Sequence, residues 1–111
     1  SMVQRICKVC QLPFDFRGGS PMCSAACRDR WDDLRANFYR IVIAPARKSF
    51  DKLTPDAERP TISQEELKAL LSARLDTARV LHSRFLESSN PTEFIRHELP
   101  EHACQILGET Q

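Results

Sequence analysis

The chain has 111 residues, 41% of them hydrophobic and 28% charged, with a formal net charge of +1. That length suits one small domain and excludes two independent cores. The longest wholly apolar run, Ile41 to Ala44, is far short of the roughly 20 residues of a membrane helix, and a near-neutral total argues against strong non-specific binding to polyanions.

Ser1-Met2 reads as a tag remnant and is left out of fold reasoning; no charged-then-apolar signal pattern follows it. Val3 to Ile6 reads as a short strand entering Cys7-Lys8-Val9-Cys10. Pro13-Phe14-Asp15-Phe16 alternates before the turn residues Arg17-Gly18-Gly19-Ser20, so a small β-hairpin is expected, with Pro21-Met22-Cys23 returning along it. Ser24 then stands where its side chain can cap a following helix.

From Ala25 onward Cys27, Trp31, Leu34, Phe38 and Ile41 recur at steps of four and three, which is one helical stripe. Pro45 restricts the residue before it, so this helix is expected to stop near Ala44. Residues 45–62 hold three prolines among charged residues and read as a linker with at most a short helical turn.

Ser63-Gln64-Glu65-Glu66 has the form of a capping box and opens a long helix. Leu67, Leu70, Leu71, Ala78, Leu81, Phe85 and Leu86 give it a wide apolar face through about Ser88. That face is buried either internally or by self-association through the 63–88 helix, as a homodimer. Asn90-Pro91 starts a third helix with Phe94, Ile95 and Leu99 on its buried side. Pro100 interrupts it, a final turn runs from Ala103 to Leu107, and the last three residues read as frayed.

Five cysteines cannot all pair within one chain, and four fall into two tight pairs. Cys7 and Cys10 are separated by two residues, a turn that aims both thiolates at one ion. Cys23 and Cys27 are separated by three, which puts both sulfurs on one face of a helix entrance. Twelve residues between the pairs let a hairpin bring them together. Four protein sulfurs close a tetrahedral zinc site, leave no position for water, and make the metal structural rather than catalytic. Arg5, Lys8, Arg28 and Arg30 are the cations expected to offset the negative cluster, together with nearby amides. Thiols kept for a metal imply an intracellular, reducing compartment, cytoplasmic or nuclear.

The knuckle Cys7-Lys8-Val9-Cys10 and the stretch Met22-Cys23-Ser24-Ala25-Ala26-Cys27-Arg28 resemble treble-clef zinc fingers over roughly residues 3–42. The Cys-Ser-x-x-Cys-Arg ending, with Trp31, is similar to FCS-type fingers and to the small bacterial zinc proteins that inhibit DNA gyrase. Gln11 stands where a glycine often follows the knuckle, and Met22 where an aromatic commonly precedes the third ligand. The resemblance implies binding to nucleic acid or to proteins that handle it; residues from 45 onward match no such pattern.

The fold class expected is therefore small, zinc-stabilised and mostly α: a treble-clef knuckle and β-hairpin followed by three or four helices. Its parts are a finger with a long helix over 3–44, a linker over 45–62, and a helical extension over 63–108 packed on or beside the finger.

Residues 1–50 carry nine Lys/Arg against four Asp/Glu, a balance of +5, and residues 51–111 carry seven against eleven, a balance of −4. Asp29, Asp32 and Asp33 weaken phosphate attraction at the helix start, which leaves Arg35, Arg40, Arg47 and Lys48 as candidate nucleic-acid contacts. His97, His102 and Cys104 share no single helical face and make a poor second metal site. His82, Asn90 and His97 give only an order reminiscent of treble-clef nucleases. No phosphate-cradling glycine loop or paired nucleophile and base is present. The expected protein is non-enzymatic: a zinc-binding adaptor or regulator that binds a protein partner in a nucleic-acid-processing complex, or, alternatively, a direct DNA- or RNA-binding zinc finger.

Overall fold

The computed structural model describes residues 3–110; Ser1, Met2 and Gln111, and with them the reading of a tag remnant, lie outside the described residues. Strand β1 (Val3–Ile6) pairs antiparallel with β2 (Pro13–Phe16), Val3 opposite Phe16 and Ile6 opposite Pro13. The Cys7 to Cys10 knuckle is thus the turn of the hairpin. The expected return along Pro21-Met22-Cys23 is not a strand: that segment is an irregular approach to the first helix, within which Met22 is buried.

Ser24 caps helix α1 (Ala25–Phe38), its Oγ accepting from the Cys27 amide at 3.2 Å. Trp31, Leu34 and Phe38 are buried along it. The helix does not stop near Ala44. It continues through a π-helical turn, Tyr39–Ile43, into α2 (Ala44–Lys52), which contains Pro45. A proline inside an α-helix loses one hydrogen bond and pushes its ring against the carbonyl four residues back. A wider turn just ahead of it relieves that clash, because the Ala44 amide reaches the Tyr39 carbonyl five residues back. The extra residue also moves the stripe: Ile43 is buried, while Ile41, the expected core position, is only half-buried.

Half of the expected linker is therefore helix. It ends at Leu53, a left-handed C-cap with φ 48°, and an irregular stretch with turns follows in which the Asp56 carboxylate is buried. One Asp56 oxygen accepts from the Glu58 amide at 3.0 Å and the other from Arg74 at 3.4 Å.

Ser63 accepts from the Glu66 amide at 3.1 Å and opens α3 (Gln64–Glu87). Leu67, Leu71, Leu75, Ala78 and Phe85 are its buried residues; Leu75 joins the expected face, whereas Leu86 is exposed. Helix α3 packs on α2 and the π-turn, and its five buried residues are covered within the single chain. Asn90 caps α4 (Pro91–Glu98) through the Glu93 amide, and α5 (Ala103–Leu107) ends on Gly108 in the left-handed conformation. Glu109 is not frayed: Arg96 holds its carboxylate at 2.8 Å and its amide donates to the Cys104 carbonyl.

One aromatic cluster joins the chain's two halves. Phe85 stacks on Phe38 with ring centroids 4.4 Å apart and lies 5.1 Å from Trp31, while His82 stacks on the Phe38 ring at 5.5 Å. Helix α5 closes the far side of α1, where Arg30 and Asn37 donate to the Leu107 and Ile106 carbonyls and satisfy acceptors that a helix end leaves open. The molecule is elongated, 63 × 31 × 20 Å with a radius of gyration of 17.7 Å. A compact chain of this length would have about 13 Å.

Candidate metal centre

Four local devices bring the cysteines together. Cys7 immediately follows β1 and is fully buried; its amide donates to the Leu12 carbonyl and its carbonyl accepts from Gln11, which closes the knuckle. Gln11 takes the left-handed conformation, φ 64°, that the glycine common at this place in fingers adopts without strain. Its side chain offers compensation by donating to the Lys8 carbonyl at 2.8 Å and to the Ser89 carbonyl at 2.9 Å. Cys23 immediately precedes the Ser24 cap and Cys27 sits in the first turn of α1, so the cap that starts the helix also sets the second pair.

The sulfurs of Cys7, Cys10, Cys23 and Cys27 all lie within 4.8 Å of one another. Cys10 to Cys23 and Cys23 to Cys27 are each 3.6 Å. No disulfide links them, since all five cysteines are free. A regular tetrahedron with arms of about 2.3 Å to sulfur has edges of about 3.8 Å. The cluster therefore has the size and composition to hold one metal ion.

Backbone amides manage the charge at Cys7 and Cys10, and the Ser24 hydroxyl works at Cys23 and Cys27. Burial raises the Cys7 thiol, but the amides of Cys10, Cys23 and Val9 outweigh it and bring the thiol down to about 6 from the ordinary 9.0. The other three are raised. At Cys10 the Leu12 amide works downward against burial and the neighbouring sulfurs of Cys23 and Cys7. At Cys23 and Cys27 the Ser24 hydroxyl works downward while burial and other sulfurs work upward. One thiolate among three thiols is the arrangement expected when four acids share a small volume.

The cations expected to offset the cluster are mostly engaged elsewhere. Arg5 covers the Phe16 ring at 4.0 Å, and Arg30 binds the Leu107 carbonyl. Lys8 lies 4.0 Å over the Trp31 ring and donates to the Leu86 carbonyl at 3.0 Å. Its ammonium is lowered by burial and by Arg35. Arg28 alone of the four lines a groove shared with Cys23 and Ser24. The sequence reading placed Lys8 and Gln11 at the knuckle but missed their contacts with residues 86 and 89. Together they tie the knuckle to the end of α3, and contacts between residues 78 apart leave no local pattern.

The four candidate nucleic-acid contacts have different neighbours. Arg35 pairs with Asp32, one turn earlier on α1, and leans toward Trp31 at 5.7 Å. Arg40 reaches the Asn37 side chain at 3.4 Å. Arg47 and Lys48 instead line a groove with Tyr39, Ala44, Asp51 and Lys52. Among the described residues the four cysteines form the sole group of three or more metal-ligating side chains, so His97, His102 and Cys104 do not gather as one. No described helix is long and apolar enough to cross a membrane. Comparisons with protein-family models, with curated proteins and with solved structures found no match.

Proposed function

We propose that Cys7, Cys10, Cys23 and Cys27 bind one structural zinc ion in a treble-clef-type finger, and that the chain is a non-catalytic adaptor for a protein partner. The carrying observation is the gathering of four sulfurs, all from protein, within 4.8 Å. Zinc suits four thiolates in a tetrahedron, and a full set of protein ligands leaves it no place to activate water. Thiols held for a metal favour a reducing compartment, the cytoplasm or nucleus.

Apolar surface supports the partner reading. The apolar residues of α1 and α3 are largely buried within the chain, whereas Val3, Ile6 and Leu12 on the hairpin are 56, 57 and 63% exposed. The likeness of the knuckle and helix entrance to fingers found on nucleic-acid-handling proteins favours a nucleic-acid-processing complex as the setting. Elemental analysis of purified chain is expected to give one zinc per chain, and metal-free folded protein would defeat the proposal. Partner capture is expected to be lost in Ile6→Asp with Leu12→Asp; unchanged capture would move the interface away from the hairpin.

A second reading, direct binding to DNA or RNA, is favoured by one observation: residues 35–52 hold five Lys/Arg against one Asp, a balance of +4. Affinity for an oligonucleotide that falls steeply with salt would support it.

A further inference from the structure

The π-turn changes which side chains stand above Tyr39. In an unbroken α-helix Ile43 would be its neighbour one turn on. With the Ala44 amide bonded to the Tyr39 carbonyl, Ile43 goes to the core and Ala44 takes that place, followed by Lys48 and Lys52 at steps of four. A groove of about 300 Å³ results, lined by Tyr39, Ala44, Arg47, Lys48, Asp51 and Lys52. Tyr39 is 43% exposed, and among the described residues Arg47, Lys48 and Lys52 make no ion pair.

An exposed ring, a small residue beside it and three unpaired cations around it suit a ligand with a flat face and a repeating negative charge. We propose that this groove binds single-stranded nucleic acid, a base stacking on Tyr39 while phosphates follow Arg47, Lys48 and Lys52, which rests on the second reading above. A single strand is required because a duplex keeps its base faces stacked and presents only edges and backbone. An acidic peptide would satisfy the cations but has no use for the ring. Asp51 lines the same groove and sets a limit on the density of phosphate it accepts.

The test is fluorescence anisotropy on the zinc-loaded full chain with a labelled oligothymidylate, its duplex, and polyglutamate, between about 50 and 200 mM salt. The single strand is expected to bind more tightly than the duplex or polyglutamate. Tyr39→Ala should weaken it about tenfold, with Tyr39→Phe near wild type. Lys48→Gln and Lys52→Gln should each reduce the slope of log affinity against log salt by about 0.7. These lysines are exposed, so their variants carry the test even if Tyr39→Ala fails to fold. Oligonucleotide binding indifferent to all these changes would overturn the groove and leave the second reading standing. No binding of any oligonucleotide would overturn both, and polyglutamate binding with the same dependence on Tyr39 and Lys48 would overturn nucleic acid as the occupant.

Discussion

Gln11 donates to the Ser89 carbonyl at 2.9 Å, so a residue of the metal knuckle holds the corner between α3 and α4. Lys8 makes the parallel contact to Leu86 at 3.0 Å. Carbonyls at the end of a helix lack partners within it; Lys8 supplies one to Leu86 in the last turn of α3, and Gln11 supplies one to Ser89 just beyond it. The finger and the helical extension are therefore tied by two contacts between residues 78 apart in the chain.

Substituting Gln11 separates its two roles. Gln11→Ala keeps the strained left-handed backbone and loses both side-chain bonds, and is expected to destabilise by about 1 to 2 kcal/mol. Gln11→Gly loses the same bonds but releases the strain, and should be about 1 kcal/mol more stable than the alanine variant. Urea melts give the order. Hydrogen exchange at residues 84–90 should rise in both, and unchanged exchange there would show that the tie carries no stability.

Replacing Cys10 or Cys27 with serine should abolish metal retention and unfold the finger, because binding free energy in small metal domains is also folding free energy. The melting temperature is expected to fall by at least about 10 °C, the shift made by roughly 2 kcal/mol in a domain of this size. A chelator should reproduce the drop in the natural chain and leave the variants unaffected. Equal melting of all forms would remove the metal from the stability of the fold.

Proton release on metal binding reads the thiols directly. With Cys7 near 6 and the other three raised above 9.0, zinc added at neutral pH should displace about three protons rather than four. Calorimetry in buffers of different ionisation enthalpy counts them. The sign for the metal-free fold is fixed by the same shifts. Cys7 is depressed, so its contribution to stability grows as pH rises from about 6 toward 9 and is lost as pH falls through 6. The three raised thiols contribute below 9 and lose that contribution at higher pH. Four protons released would mean that the amides around Cys7 are not ordered before metal arrives.

Phe85 is the ring both halves share, fully buried between Phe38 and Trp31. Phe85→Ala should cost about 3 to 5 kcal/mol, and because Trp31 lies 5.1 Å away, its fluorescence should report the loss. Phe94, 6.4 Å from the same ring but half-buried, should cost less when truncated. A mild effect at Phe85 would mean that the two halves are joined elsewhere.

What was legible in the sequence was local. Ser24, Ser63 and Asn90 cap the helices their positions suggested, since a cap needs only a side chain and an amide three residues on. The cysteine spacing foretold the cluster for the same reason. Pro45 misled, because the rule that a proline ends a helix assumes a regular turn before it, and one extra residue in that turn suspends the rule. Leu75 was overlooked although it continues the Leu67 to Leu71 step of four. The ties of Lys8 and Gln11 to α3 depend on where two remote segments meet, and no spacing encodes that.

The wide turn at Tyr39–Ile43 also sets how this stretch tolerates insertion and deletion. Removing one residue from it would turn the Ala44 to Tyr39 bond into an ordinary helical one and leave Ala44, Lys48 and Lys52 on the face they now share. Pro45 would then meet the carbonyl four residues back with no wider turn to relieve it. Descendants of this chain should accept substitutions along the rod far more readily than any change in its count of residues between Phe38 and Pro45.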